Sequence, residues 1–161
     1  MIFVATGTQK FQFNRLLSKI DVLIDDNKIS EDVFAQVGHS TYVPKHYSYG
    51  KFLSKEDYEK NMESASVVIS HGGVGTILEA RDMGKKVIVV PRLSKYGEHV
   101  DDHQLDITKK FSEKKIILMC EDEQLDDLPE KIKQTQNLTF SNYKRNNASF
   151  VNSLEKILLS L

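Results

Sequence analysis

The sequence predicts an α/β fold in which an open, parallel β-sheet carries helices on both faces. Short apolar runs rich in β-branched residues alternate along the chain with segments of helical periodicity, as in successive βα units. No internal repeat, low-complexity tract or proline-rich linker interrupts this alternation. Since 161 residues is the length of one domain with a single core, we predict one domain over residues 1–161.

The strands are predicted from the apolar runs, and the helices from apolar residues spaced three and four apart. The predicted strands cover residues 2–5, 33–37, 51–53, 67–70, 87–90 and 116–119. The predicted helices cover residues 14–24, 55–64, 76–83 and 100–111. Ligands of such sheets bind beyond the carboxyl ends of the strands, so we expect the polar loops at 6–9, 71–75 and 92–104 to converge on one site.

The most informative segment is the junction at residues 66–79, where a predicted buried strand runs through His71 into three glycines and then into a helix. The glycines at 72, 73 and 75 let a ligand approach the backbone closely. The free N–H groups and the dipole of a helix N-terminus favour an anion. We therefore predict a phosphate site here, with a glycine-rich turn packed closely for its own sake as the alternative.

Two common phosphate-binding motifs are excluded by their spacing. A P-loop needs Gly-Lys followed by Ser or Thr, whereas Gly84 and Lys85 are followed by Lys86. A dinucleotide fingerprint needs Gly-x-Gly-x-x-Gly after a strand, and neither residues 6–9 nor residues 72–75 have that spacing. A nicotinamide cofactor is therefore not expected.

Charge and composition limit the partners and the compartment. Lys and Arg number 22 against 23 Asp and Glu, so no global field attracts nucleic acid, which is not an expected partner. The apolar start at residues 1–4 lacks a preceding basic region and is too short for a signal peptide or a membrane span. The single cysteine, Cys120, follows an apolar run and is predicted to be a buried thiol. We expect a cytoplasmic protein.

Several motifs together resemble one enzyme family. The segment HGGVGTILE, from His71 to Glu79, resembles the donor-binding signature of GT-B glycosyltransferases, and Asp102-His103-Gln104 is similar to the element that reads the donor sugar. With the opening MIFVATGTQKF, the chain resembles the Rossmann-like C-terminal domain of glycosyltransferase family 28. It is most similar to stand-alone halves of split transferases, namely the cytosolic subunit of the dolichol-pathway UDP-N-acetylglucosamine transferase and bacterial PssE/EpsF-type subunits.

The resemblance implies the catalytic half of an inverting transferase that takes a UDP-sugar and needs no cofactor. A membrane-anchored partner subunit would bind the lipid-linked saccharide acceptor and supply the general base, in exopolysaccharide or capsule synthesis. The chain would then lie in the cytoplasm, peripheral to the membrane. A non-catalytic partner subunit that keeps the fold without donor turnover is the alternative, while a nucleotide-sugar epimerase would normally need two such domains in one chain.

The resemblance also implies roles for matching residues. His71 and Thr76 are expected to act catalytically on the leaving diphosphate, and Glu79 to accept hydrogen bonds from the ribose hydroxyls. A first-turn Glu that only complements the helix dipole is the alternative for Glu79, and a solvated Gln the alternative for Gln104. The full set expected to bind the donor is Gly7, Thr8, Phe52, Leu53, His71, Gly72, Gly73, Val74, Gly75, Thr76, Glu79, Asp102, His103 and Gln104.

A metal site is considered and not expected. His99 and His103 stand four residues apart beside Asp102, a spacing that suits a metal if the segment is helical. The resemblance implies instead that backbone groups and a helix dipole hold the diphosphate. We therefore predict no bound metal.

The last segment, residues 147–161, has apolar residues at spacings of three and four and predicts an amphipathic helix. Such a helix most commonly packs on its own domain. The resemblance implies that it crosses to the partner subunit. The residues expected at that contact are Phe150, Leu154, Ile157, Leu158 and Leu161.

Overall fold

The computed structural model describes residues 1–140 together with Asn152, Glu155, Lys156 and Leu159. Over this range the strands are β1 (Ile2–Ala5), β2 (Val33–Gln36), β3 (Ser48–Gly50), β4 (Val67–Ser70), β5 (Lys86–Val89) and β6 (Leu118–Met119). The helices are α1 (Asn14–Asp25), α2 (Lys55–Ser64), α3 (Val74–Asp82), α4 (His103–Glu113) and α5 (Leu128–Asn137), with a short 3-10 turn at Ser94–Tyr96.

The described strands form one parallel sheet in the order β3-β2-β1-β4-β5-β6, which is the order of a Rossmann-type sheet. Strand β1 pairs with β2 on one side and with β4 on the other, so that Val4 lies beside Ala35 and Ile69. The chain therefore winds outward in both directions from the centre. The crevice at which its direction reverses lies at the carboxyl ends of β1 and β4.

Helices cover both faces of the sheet because successive strand residues point to opposite sides. In β1, Ile2 and Val4 belong to the core cluster that contains residues of α1 and α5. Phe3 and Ala5 belong to the cluster that contains residues of α2, α3 and α4. All four are buried. The predicted open parallel sheet with helices on both faces is confirmed.

Two predicted elements differ clearly from the structure, and one observed helix is missing from the prediction. The strand predicted at residues 51–53 is wrong, because the edge strand β3 ends at Gly50 and its first two residues are exposed, without an apolar pattern. The helix predicted from residue 100 begins at His103, since the Asp102 carboxylate accepts the N–H of Ser94 at 2.9 Å and holds residues 94–102 as a loop. Helix α5 was not predicted at all.

The predicted C-terminal contact with a partner stays a prediction. Its residues, Phe150, Leu154, Ile157, Leu158 and Leu161, lie outside the described residues. The four described residues of this region, Asn152, Glu155, Lys156 and Leu159, are helical and exposed. Within the part of the chain that the structure describes, no helix is long and apolar enough to cross a bilayer.

Candidate functional site

A cavity of about 590 Å³ opens at the carboxyl edge of the sheet, where the loops after β1 and β4 lie side by side. The segment before α2 and the first turns of α2 and α3 complete its wall. Its lining residues are Gly7, Thr8, Gln9, Gln36, Leu53, Lys55, Tyr58, Glu59, His71, Gly73, Gly75, Thr76 and Glu79. Most of the predicted phosphate, ribose and base contacts thus share one cavity.

His71 lies at the centre of this cavity, packed directly against two glycines. A Cβ on Gly7 would lie 2.7 Å from His71 Nε2, and one on Gly73 would lie 2.6 Å from Cε1. Gly7 also has a φ of 84°, which other residues rarely adopt. By contrast, a Cβ on Gly75 would meet no described atom within 4 Å. Internal packing therefore accounts for Gly7 and Gly73, while Gly75 leaves open space for a ligand.

The His71 ring is neutral at physiological pH. Burial, which is the largest cause, and the charges of Arg92 and His99 together lower the pKa of His71 to about 4. Its Nδ1 atom is buried and has no hydrogen-bond partner among the described residues. A neutral imidazole offers one donor and one acceptor. The ring can therefore donate an N–H to an anion without the penalty of carrying a buried charge.

Helix α4 packs near Gly72 of the glycine loop. Gly72 has a φ of 97°, and a Cβ on it would lie 3.8 Å from Gln104 Oε1. That oxygen is buried and lacks a hydrogen-bond partner in the described structure. Gln104 nevertheless does not line the cavity, and Asp102 and His103 are exposed and do not line it either. Of the three residues predicted to read the sugar, Gln104 alone packs near the loop.

Phe52 and Val74 were predicted donor contacts whose side chains lie outside the cavity lining. Phe52 is 49% exposed and meets the His39 ring edge-on at 5.0 Å between centroids. Val74 packs against the core on the α3 side of the sheet, so its main chain is what can face a ligand. The neighbouring Leu53 lines the cavity, and its N–H donates to Gln36 Oε1 at 2.9 Å.

Tyr58 was missed by the sequence analysis, although it lines the cavity from α2. Its ring meets that of Phe3 edge-on at 5.3 Å between centroids. Burial raises the pKa of Tyr58, the nearby Thr76 hydroxyl opposes this, and the Glu79 charge raises it again. The phenol therefore stays protonated and lies close to both predicted donor contacts on α3. Its signal was a single aromatic residue in an otherwise charged helix.

Arg92 and Glu98 were also missed. Both are buried in the loop after β5, although the sequence predicts only a polar loop there. Arg92 donates to main-chain carbonyls of the loop after β1, and Glu98 accepts two hydrogen bonds from Arg15, at 2.9 and 3.0 Å. This network fixes the loops after β1 and β5 to each other.

The metal-binding spacing is not realised as a helix, because His99 precedes α4. His99 Nδ1 lies 3.6 Å from Asp101 Oδ1. Over the described residues no group of three or more His, Cys, Asp and Glu side chains is placed to hold a metal ion. Metal independence stays a prediction.

A second cavity, of about 340 Å³ and more apolar, lies at the carboxyl ends of β5 and β6. Cys120 forms part of its wall, and burial raises the pKa of that thiol. None of the predicted donor residues lines it. It is therefore separate from the glycine loop.

The strand order and the cavity at the crevice between β1 and β4 are those of a doubly wound α/β domain. The chain belongs to the family described as the glycosyltransferase family 28 C-terminal domain, whose model matches residues 1–158. This membership covers nearly the whole chain, including all fourteen residues predicted to bind the donor.

Curated relatives carry the name UDP-N-acetylglucosamine transferase subunit ALG13. The mouse protein is 27% identical over 125 residues, which is 73% of this chain and 10% of that protein. The Yarrowia lipolytica protein is 30% identical over 90 residues, which is 53% of this chain and 44% of that protein. The chain therefore spans less than half the length of these relatives.

Solved structures support the same fold. MurG of Acinetobacter baumannii superposes with a TM-score of 0.60 at 18% identity, over 97% of this chain and 49% of that one. The calicheamicin glycosyltransferase CalG4 superposes with a TM-score of 0.56 at 11% identity, over 99% of this chain and 38% of that one. At these identities the likeness shows the GT-B type of fold alone.

Proposed function

We propose that the chain is the donor-binding, catalytic half of an inverting UDP-sugar glycosyltransferase. The observation that carries the proposal is the meeting of the loops after β1 and β4, the first turns of α3 and the segment before α2 around one cavity. Family membership and the name of the ALG13 relatives support it. The cavity lies where doubly wound sheets bind nucleotides.

The chemistry follows from the groups in the cavity. When an acceptor hydroxyl attacks the anomeric carbon of the donor sugar, the bond to the diphosphate breaks and charge develops on the leaving phosphate. N–H groups of residues 73–76, the Thr76 hydroxyl and the neutral His71 ring are donors that stand ready for that charge. The Glu79 carboxylate accepts the ribose hydroxyls, and the Leu53 segment meets the base.

The acceptor and the general base come from a second subunit in this proposal. That subunit is membrane-anchored and binds a lipid-linked saccharide, so the complex acts at the cytoplasmic face of a membrane in exopolysaccharide or capsule synthesis. The relatives' name contains the word subunit, which favours an enzyme of more than one part.

A transfer assay tests the proposal. The chain is co-expressed with the membrane subunit, and release of UDP is measured from UDP-N-acetylglucosamine, UDP-galactose and UDP-glucuronic acid in the presence of membranes. We expect acceptor-dependent release from one of these donors, lost in His71→Ala. The matched control is Glu63→Ala, which changes an exposed residue of α2 away from the cavity and should leave release unchanged.

The alternative predicts a different pattern. If the complex binds UDP but releases none from any donor, the chain is a non-catalytic partner that kept the fold. If His71→Ala transfers sugar as fast as the wild type, the assignment of the glycine loop as the catalytic centre is wrong.

A further inference from the structure

We propose that Arg92 is a positioning residue of the donor site, because its buried guanidinium ties the loop after β1 to the loop after β5 and places a positive charge behind the phosphate cavity. Arg92 does not line the cavity, so it acts through its neighbours. The inference rests on the proposed function. It concerns how the loop after β1 is fixed in place and which charge lies behind the cavity.

The guanidinium bridges both loops through main-chain carbonyls. Its Nη1 atom donates to Phe11 O at 3.2 Å, to Gln12 O at 3.1 Å and to Glu98 O at 3.0 Å. Its Nη2 atom donates to Thr6 O. The Arg92 side chain, which is 2% exposed, therefore hydrogen-bonds to both ends of the loop after β1.

The loop after β1 carries Gly7, which lines the cavity. Gly7 follows Thr6 and packs on the His71 ring, since a Cβ on Gly7 would lie only 2.7 Å from Nε2. On its other side, a Cβ on Gly38 would lie 2.8 Å from Gly7 O. Because Gly7 is packed closely on both sides, we expect a shift of the Thr6 carbonyl to displace Gly7 and Thr8 or the His71 ring.

Among the described residues, Arg92 is a buried cation with no ion pair of its own, and the Glu98 charge offsets it only in part. Glu98 is fully buried and its carboxylate pairs with Arg15 at 2.9 Å, whereas Arg92 donates to the main-chain carbonyl of Glu98. Burial lowers the pKa of Arg92 to about 10, while the Glu98 charge raises it. A buried cation without its own counterion is costly, and an anion bound nearby offsets that cost. A diphosphate in the cavity is such an anion.

The field of Arg92 reaches the cavity, since after burial it is the largest cause of the lowered pKa of His71. Other ionisable groups face the same space from every neighbouring element. Lys55, Tyr58 and Glu59 on α2 and Glu79 on α3 line the cavity, and His99 on the loop after β5 acts on the His71 ring without lining it.

Arg81 provides a matched control for the loss of a buried arginine. It is 7% exposed, burial lowers its pKa, and its Nη1 atom donates to Lys85 O at 2.9 Å. It lies at the end of α3 that faces away from the cavity. Arg81→Met therefore removes a buried cation without touching the loops that Arg92 joins.

The experiment measures UDP binding by calorimetry and thermal unfolding for the full chain and for Arg92→Met, Arg92→Lys and Arg81→Met. We expect Arg92→Met to weaken UDP binding on the order of tenfold, and Arg92→Lys, which keeps the charge but cannot span the carbonyls, to weaken it less. Arg81→Met should lower the unfolding temperature and leave the affinity within about twofold. A second readout is the His71 ring titration by NMR, whose pKa should rise in Arg92→Met and stay low in Arg92→Lys.

Each part of the proposal is contradicted by a different result. UDP affinity of Arg92→Met within about twofold of the wild type, or an equal loss in Arg81→Met, overturns the positioning role. An unchanged His71 titration in Arg92→Met overturns the charge contribution. If Arg92→Met does not fold, Arg92→Lys decides, since wild-type affinity in that variant contradicts the bridging geometry. A wild type that binds no UDP refutes the proposed function itself, while the NMR titration still tests the charge.

Discussion

His71 is held in the cavity without a charge, and this makes the stability of the fold depend on pH. Its pKa is lowered to about 4 in the folded chain, against about 6.5 in an unfolded one. The unfolded chain therefore binds more protons between these two values. The stabilisation is fully present above pH 6.5 and is lost as the pH falls towards 4.

We expect the free energy of unfolding to fall by on the order of 3 kcal/mol through that range because of His71. Urea unfolding at pH 7, 5.5 and 4 measures it. His71→Asn should flatten the pH dependence relative to the wild type. The control is His46→Asn, an exposed histidine, which should keep the wild-type slope. Equal slopes for His71→Asn and the wild type would show that the ring is not buried as described.

Residues with a local sequence signature could be predicted, and residues placed by distant contacts could not. The glycines, His71 and Glu79 stand in one motif at a predicted strand-to-helix junction. Arg92 has no such local signature. It is buried where it donates to the carbonyls of Phe11 and Gln12, which lie 81 and 80 positions away in the chain. Only the folded sheet brings these groups together.

At the scale of elements, the apolar central strands were predictable and the edge was not. β1 and β4 are buried at every position, and their bounds match the prediction. The edge strand β3 is exposed and has no apolar pattern, so the sequence predicts the strand at residues 51–53 instead. Helix α5 did carry a signal, since Pro129 stands in its first turn and Leu128 and Ile132 are buried four apart.

Helix α1 anchors the loop between β2 and β3 through one buried carboxylate. Asp21 accepts hydrogen bonds from the Tyr42 hydroxyl at 2.6 Å and from the N–H groups of Lys45 and His46 at 2.8 and 2.9 Å. The hydrogen bond to Asp21 is the main reason that the pKa of Tyr42 is raised to about 12. The same loop carries Gly38, which packs against Gly7 in the loop after β1.

Asp21→Ala should lower the free energy of unfolding by at least roughly 1.5–3 kcal/mol, the contribution of a hydrogen bond to a charged group. The remaining donors lose a buried partner, which adds to the loss. Urea unfolding at pH 7 measures it. Asp26→Ala, at the exposed end of the same helix, is the control and should stay within about 0.5 kcal/mol of the wild type. A similar small change in Asp21→Ala would contradict the anchoring role.

At the scale of the whole molecule, the tail at residues 147–161 is predicted to join the chain to its partner. Deleting residues 150–161 should abolish co-purification with the membrane subunit and transferase activity, while UDP binding by the rest of the domain persists. Apolar anchors of this kind are worth more than about 1 kcal/mol each at an interface. Pull-down and calorimetry measure the two effects. Recovery of the partner at wild-type yield, or failure of the shortened chain to fold, would assign the tail to its own domain.

Metal independence is a second prediction for the assembled enzyme. If N–H groups and the dipole of α3 hold the diphosphate, transfer should survive EDTA, and His99→Ala should cost much less activity than His71→Ala. The rate of UDP release with and without chelator measures this. Complete loss in EDTA that Mn²⁺ or Mg²⁺ restores would make His99, Asp102 and His103 candidate ligands.

The most direct test of the whole account is a calorimetric titration of the chain with UDP. The cavity brings the predicted phosphate donors of the glycine loop together with Glu79, the predicted ribose acceptor. The wild type should therefore bind UDP, and bound UDP should raise its unfolding temperature. Glu79→Ala should fold normally and bind UDP about 1.5–3 kcal/mol more weakly. Glu63→Ala should match the wild type. Absence of UDP binding by the wild type, even with the partner subunit present, would contradict the donor-site account.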